Sequence, residues 1–225
     1  MPSHPTVRRL IELSGCFIAA PSGNRSGRPS PTTASDMFED MAGRIPLILD
    51  GGTCDVGVES TVIDLSGEKP RILRPGGITP EMIAAVCGGC VVDPGVLQPV
   101  SENTKVRSPG MKYRHYAPKG KLTIYRGEDE RVMTAIARAY DESEAGGSNT
   151  YILCLEPHRQ SYGTRKTLSR GNNAADAARE LFAALREADR LGAERIFSEA
   201  VDLNGIGLAV MNRLGRAAAF EMIDV

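Results

Sequence analysis

The chain has 225 residues, 41% of them hydrophobic and none of them Trp, so it can bury a mainly aliphatic core as one large domain or two ordinary ones. Lys and Arg number 27 against 28 Asp and Glu, a formal charge of -1, which excludes coating nucleic acid through net charge alone but allows a local basic patch. The five cysteines are odd in number and scattered, as in a reducing compartment, and the apolar runs are too short to span a membrane; a soluble, cytoplasmic protein is expected.

Residues 6–14 carry Val7, Leu10, Ile11 and Leu13 on a helical stripe that Gly15 ends. "CFIAA" (16–20) reads as a buried strand running into Pro21. "TTASDMFEDMAG" reads as a short helix capped by Thr32 or Thr33, and "IPLILD" (45–50) as a second strand. "GVESTVIDLSGEKPRILRPGG" reads as a hairpin; with Leu65 opposite Pro70, Ser60 and Arg74 fall at the same open end. Thr79, Pro80 and Gly88 give the cap, first position and stop of another helix.

From Val91 to Lys121 four prolines interrupt the pattern, and residues 98–121 carry six Lys or Arg and one acid, a local charge of +5 that suits an anionic partner. Beyond it strands alternate with helices: "KLTIY", "DERVMTAIARAY", "TYILCL", "NAADAARELFAALREADRLG", "ERIFSEAV" and "GLAVMNRLGRAAAF". Such alternation predicts a parallel, Rossmann-like sheet.

Five stretches could carry chemistry. The loop "IAAPSGNRSGRPSPTT" follows a predicted strand and precedes a predicted helix. It offers Ser22, Asn24, Ser26 and Ser30, two glycines for close backbone approach, and Arg25 and Arg28, with no acid until Asp36. Donors without acids suit a phosphate or carboxylate, although an ordinary surface loop has the same composition. Arg74, before "PGG", could fork onto a phosphate or stand at a sheet edge in solvent. Tyr113, Arg114, His115 and Tyr116 could fold over a nucleotide or simply anchor an interdomain tether. "CGGC" at Cys87–Cys90 has metal or redox spacing, but no second pair accompanies it, so two thiols at a helix end are the expected reading. "NGIGLAV" lacks the third glycine of a dinucleotide loop. No covalent nucleophile set is visible.

"AAPSGNRSGRPSPT", "VESTVIDL", "ILRPG" and "SPGMKYRHYAP", in this order, resemble the threonylcarbamoyl-AMP synthase family, in particular its long members. The resemblance covers nearly the whole chain. It implies a partial YrdC-like twisted α/β domain over 1–97, an extended linker over 98–120 and a small Rossmann-like parallel α/β domain over 121–225. It also implies synthesis of threonylcarbamoyl-adenylate from L-threonine, bicarbonate or CO2, and ATP, with Mg2+ carried on ATP. Pyrophosphate is released, and partner proteins then pass the group to tRNA. By motif, Ser22, Asn24, Ser30, Arg74 and Tyr113 are implied to bind ATP, and Ala20 and Ser60 to bind threonine. Arg114 and His115 are further linker contacts. Two departures stand out. Gly23 replaces a usual Ala, and Met1 falls inside the family's first domain, without its Lys-x-Arg motif, which implies weak or no activity for this chain alone. The alternatives are a non-catalytic nucleotide- or RNA-binding module and, on "NGIGLAV" alone, a dinucleotide enzyme.

Overall fold

The computed structural model describes residues 2–98 and 116–225. The sequence-predicted helices form where their end signals lie. Helix α1 (Pro5–Ser14) ends at Gly15 in the left-handed region. Helix α2 (Ala34–Met41) is capped by Thr33, whose side chain accepts from the Asp36 amide. Strands β1 (Val62–Asp64) and β2 (Arg71–Arg74) form the antiparallel hairpin, with Asp64 opposite Arg71, the register that places Leu65 opposite Pro70. A bulge between Val62 and Ile63 then sets Val62 against Arg74. Helix α3 (Pro80–Cys87) has Thr79 as cap and Gly88 as its left-handed stop. Strand β3 (Val91–Val92), not foreseen, pairs parallel to β2 and completes a three-stranded sheet in the order β1-β2-β3.

Two strand predictions are corrected. Residues 16–20 and 45–50 form no ladder, and most of their apolar side chains are exposed, Phe17 fully and Leu47 to 69%. An apolar run becomes a strand only beside a partner that takes its backbone hydrogen bonds.

The second region is a doubly wound parallel sheet. Its strands are β4 (Lys121–Arg126), β5 (Thr150–Cys154), β6 (Thr167–Ser169), β7 (Arg195–Glu199) and β8 (Met222–Asp224), in the order β6-β5-β7-β4-β8. All pairings are parallel. Short β6 and β8 were not foreseen. Helix α4 (Asp129–Ala145) covers one face, with Ile136 and Tyr140 packed on Ile152 and Phe197. Helices α5 (Ala174–Arg190) and α6 (Gly207–Ala217) cover the other, burying Leu181, Phe182, Leu185 and Leu214 on Leu122, Ile124 and Ile196. Strands with a helix layer on both sides read as near-continuous apolar runs, which is why "TYILCL" was legible.

Helix α6 is buried along its whole length. One side meets the five-stranded sheet, and the other meets the hairpin region. Asn212 Nδ2 donates to Val96 O at 2.5 Å, and Arg216 Nη2 to Gly95 O at 2.9 Å. Helix α5 adds arginines to the same seam. Arg186 Nη2 bonds Asp40 Oδ2 at 2.5 Å and Pro29 O at 2.8 Å; Arg190 Nη2 bonds Asp36 Oδ1 at 2.5 Å and Glu39 at 3.0 Å. Among the described residues no helix is long and apolar enough to cross a membrane.

Candidate active site

The hairpin end is built by close backbone approach. A side chain on Gly76 would lie 2.4 Å from Glu59 O and 2.5 Å from Thr61 N, so only glycine lets "RPGG" press against "EST". Gly57, at φ +75, likewise meets the backbone of Arg179 on α5. These contacts bring Ser60 and Arg74 together as expected. Arg74 Nε donates to Ser60 O at 3.1 Å, and Nη2 to Ser60 Oγ at 3.4 Å.

Beneath them lies a charged cluster that sequence reasoning missed. Arg213 of α6, fully buried, donates from Nε to Glu59 Oε2 at 2.9 Å and from Nη1 to Pro75 O at 2.6 Å. Ser30 Oγ donates to the other oxygen, Glu59 Oε1, at 2.9 Å. Burial alone would raise the Glu59 carboxyl, but Arg213 and the Ser30 hydroxyl outweigh it and hold it below the usual range. Ser30 of the opening loop, Ser60 and Arg74 of the hairpin, and α6 are thereby tied to one point. Tyr116 joins them, stacked on Phe182 at 5.1 Å and raised in pKa by burial and by neighbouring Glu59. The chain re-enters at the same place, with Ala117 N donating to Gly27 O at 3.2 Å.

The rest of the opening loop behaves differently. Ala20 and Ser22 are exposed. Asn24 turns inward, its Nδ2 donating to Arg25 O and Arg28 O, both at 3.0 Å, so it holds the loop's shape. The Met37 thioether lies over Gly23 where a Cβ would be. Arg25 and Arg28 do not face an open anion site: Arg28 Nη1 pairs with Asp40 at 2.9 Å, and Arg25 Nε donates to Asp40 O at 3.3 Å. Arg74, in contrast, is half-buried and has no carboxylate partner among the described residues. Tyr113, Arg114 and His115 lie outside the described residues.

No group of three or more His, Cys, Asp or Glu side chains that could hold a metal forms among the described residues, and Cys87 and Cys90 are free thiols. The signal that could have found the Glu59–Arg213 pair is weak: two arginines three residues apart in a helix otherwise almost all apolar.

A family model described as "Threonylcarbamoyl-AMP synthase, C-terminal domain" matches residues 78–219, and one described as "Telomere recombination" matches residues 1–76. The threonylcarbamoyl-AMP synthase of Pyrococcus abyssi is 41% identical over 225 residues, covering 100% of this chain and 64% of the relative. That of Bacillus subtilis is 43% identical, covering 99% and 63%. A solved structure described as P. abyssi Sua5 complexed with L-threonine superposes with a TM-score of 0.92 at 42% identity, over 100% of this chain and 64% of that one. The chain thus spans slightly under two thirds of the length of these relatives. On the match across residues 78–219, this chain belongs to the threonylcarbamoyl-AMP synthase family.

Proposed function

We propose that this chain carries the ATP- and threonine-binding surface of threonylcarbamoyl-adenylate synthesis. The observation that carries the reading is the gathering of Ser30, Ser60, Arg74 and Tyr116 around Glu59 and Arg213, beside a cation that has no acid partner among the described residues. Arg213 is neutralised by Glu59. Arg74 spends Nε and Nη2 on Ser60, which orients its guanidinium and leaves the remaining face for an anion. Ser22, exposed at the mouth of a loop shaped by Asn24, supplies a donor to the same phosphates. Ala20 and Ser60 serve the threonine side and Tyr113 the nucleotide side, with Arg114 and His115 as further linker contacts. The L-threonine complex of the P. abyssi relative supports the substrate.

The reaction needs no protein nucleophile. The threonine amine adds to CO2 and loses a proton, giving a carbamate. A carbamate oxygen attacks the α-phosphorus, and pyrophosphate leaves. The protein's contribution is to position the two substrates and to stabilise charge on the phosphates. Mg2+ enters on ATP, held largely by phosphate oxygens. Partner proteins would then transfer the group to tRNA. Residues 1–97 hold the pocket and 121–225 brace it through α5 and α6, with 98–120 as the linker between them. The sheets support a division after β3 rather than near residue 77, because β3 pairs with β2.

Calorimetry of ATP with and without L-threonine tests the reading, with mass spectrometry for the adenylate after addition of labelled bicarbonate. Arg74→Ala should weaken ATP binding by about 10- to 100-fold, the worth of a charge-assisted contact. Unchanged ATP and threonine binding in Arg74→Ala and Ser60→Ala would defeat it. Tight RNA binding that falls steeply with salt, without threonine-dependent ATP binding, would favour the binding-module alternative.

A further inference from the structure

The five-stranded sheet has its own crevice, lined by none of the residues of the Glu59 cluster. β4 and β7 are neighbours, but the chain leaves them in opposite directions: β4 runs into α4 on one face, and β7 into α6 on the other. Two connections that part in this way leave a gap at the carboxyl ends of the strands, the usual place for a ligand in an open α/β sheet. A cleft of about 780 Å3 lies there, walled by Tyr125, Val132, Leu155, Val201 and Leu203. Its volume is that of a small-molecule site.

The floor is polar and fixed. Glu199, almost fully buried at the end of β7, accepts from Tyr162 Oη at 2.7 Å and from the Leu155 amide at 2.9 Å. His158 Nδ1 stands 3.2 Å from Glu199 Oε2, and its Nε2 stands 3.8 Å from Asp129 Oδ2 at the start of α4. Fully buried Arg170 donates to Glu199 O at 2.9 Å, fixing that strand end from behind. Such an array costs desolvation and order that a merely structural strand end does not need. Asp202 stands at the rim, one carboxylate oxygen taken by the Asn204 amide at 2.6 Å.

The balance of charge selects the ligand. Asp129, Glu199 and Asp202 line the cleft; its histidine, His158, is turned onto Glu199 and Asp129, buried Arg170 stands behind Glu199 outside the lining, and its arginine, Arg126, is already forked onto Asp224 at 2.7 and 3.1 Å. The Gly207 amide at the start of α6 is turned onto Asn204 O at 3.1 Å, and Gly207 is packed against Asp202 O. Phosphate is therefore disfavoured. A flat apolar body bearing hydroxyl donors is favoured, because carboxylates accept from vicinal hydroxyls. We propose that this crevice binds an unphosphorylated nucleoside, its base against Leu155, Val201 and Leu203 and its ribose hydroxyls on Asp202 and Asp129.

The test is 1H–15N NMR titration of the full chain with adenosine, 2′-deoxyadenosine and 5′-AMP, run in an Arg74→Ala background so that the proposed ATP site does not contribute. Adenosine should bind with a Kd on the order of 0.1 mM, as expected for a ligand of its size. It should shift the Gly127 and Asp202 amides. Deoxyadenosine and AMP should bind at least about fivefold more weakly. Leu203→Trp, a change at a half-exposed position, should abolish the shifts while thermal melting stays unchanged. Asp202→Asn should weaken adenosine but not deoxyadenosine, and it serves if Leu203→Trp does not fold. Absence of crevice shifts at several millimolar adenosine, or AMP binding tighter than adenosine, would overturn the proposal.

Discussion

The two sheets are built from similar apolar content but bury it very differently. Of twenty exposed large apolar side chains among the described residues, sixteen lie in 2–98 and four in the five-stranded region. Helix α1 buries no residue, whereas α5 buries Leu181, Phe182 and Leu185. The lesson is that periodicity sets local shape, and burial sets stability. The five-stranded sheet has helices on both faces, while the three-stranded one takes much of its support from α5 and α6 of the other region. The site depends on this asymmetry: its hairpin is held from below by Arg213, a residue of the well-packed domain.

The largest expected difference is in core substitutions. Phe182→Ala removes a fully buried ring stacked on Tyr116 and should cost about 3–5 kcal/mol. Leu47→Ala, at an outward-facing position, should stay within about 0.5 kcal/mol. Urea denaturation measures both. Equal effects would mean that residue 47 is packed in solution and that the contrast between the regions is false.

Arg213→Met sharpens the comparison at the seam. Methionine keeps much of the volume but leaves Glu59 and Pro75 O without their donor. The loss should be about 2–3 kcal/mol, below that of a fully buried pair because Glu59 keeps some exposure. It should also lower ATP affinity, since Ser60 and Arg74 flank the unpinned residues. A stability loss with ATP binding intact would make the cluster a brace and nothing more.

How much of this could be read in the chain depends on distance along it. Thr79, Pro80 and Gly88 act within one helix, and the Leu65–Pro70 register within one hairpin; both were legible. That same register put Ser60 and Arg74 at one open end of the hairpin, where the structure joins them. Glu59–Arg213 spans 154 positions, and no local rule pairs an acid beside a strand with an arginine in a late helix. Residues 16–20 and 45–50 misled for the complementary reason. Their apolarity is real, but a ladder needs a neighbour, and composition does not name one. Short β3, β6 and β8 were hidden because two or three residues carry too little alternation to register.

The smallest expected effect separates the regions by acid. Asp36, Asp40 and Glu59 all sit at the seam, and all are held below their ordinary values, 3.8 for the aspartates and 4.5 for the glutamate. Burial pushes each one up, but Arg190, Arg186 and Arg213 respectively push harder in the other direction. A depressed carboxyl stabilises the folded state above its unfolded value and gives up that stability as pH falls through the folded one. The seam should therefore hold at pH 6 and loosen below about pH 4. The five-stranded region has lowered carboxyls too, Asp141, Glu144, Asp176, Glu221 and Asp224, but their ion pairs are exposed or half-exposed and screened by water, so its dependence should be weaker. Pulsed hydrogen exchange at pH 6 and pH 3 should show residues 30–76 losing protection while β4, β5 and β7 keep theirs. If both regions lost protection together, the acids would be supporting the whole fold. If neither did, the arginine contacts to Pro29 O and Pro75 O would suffice without the carboxylates, and the charge at the seam would serve the site rather than the joint.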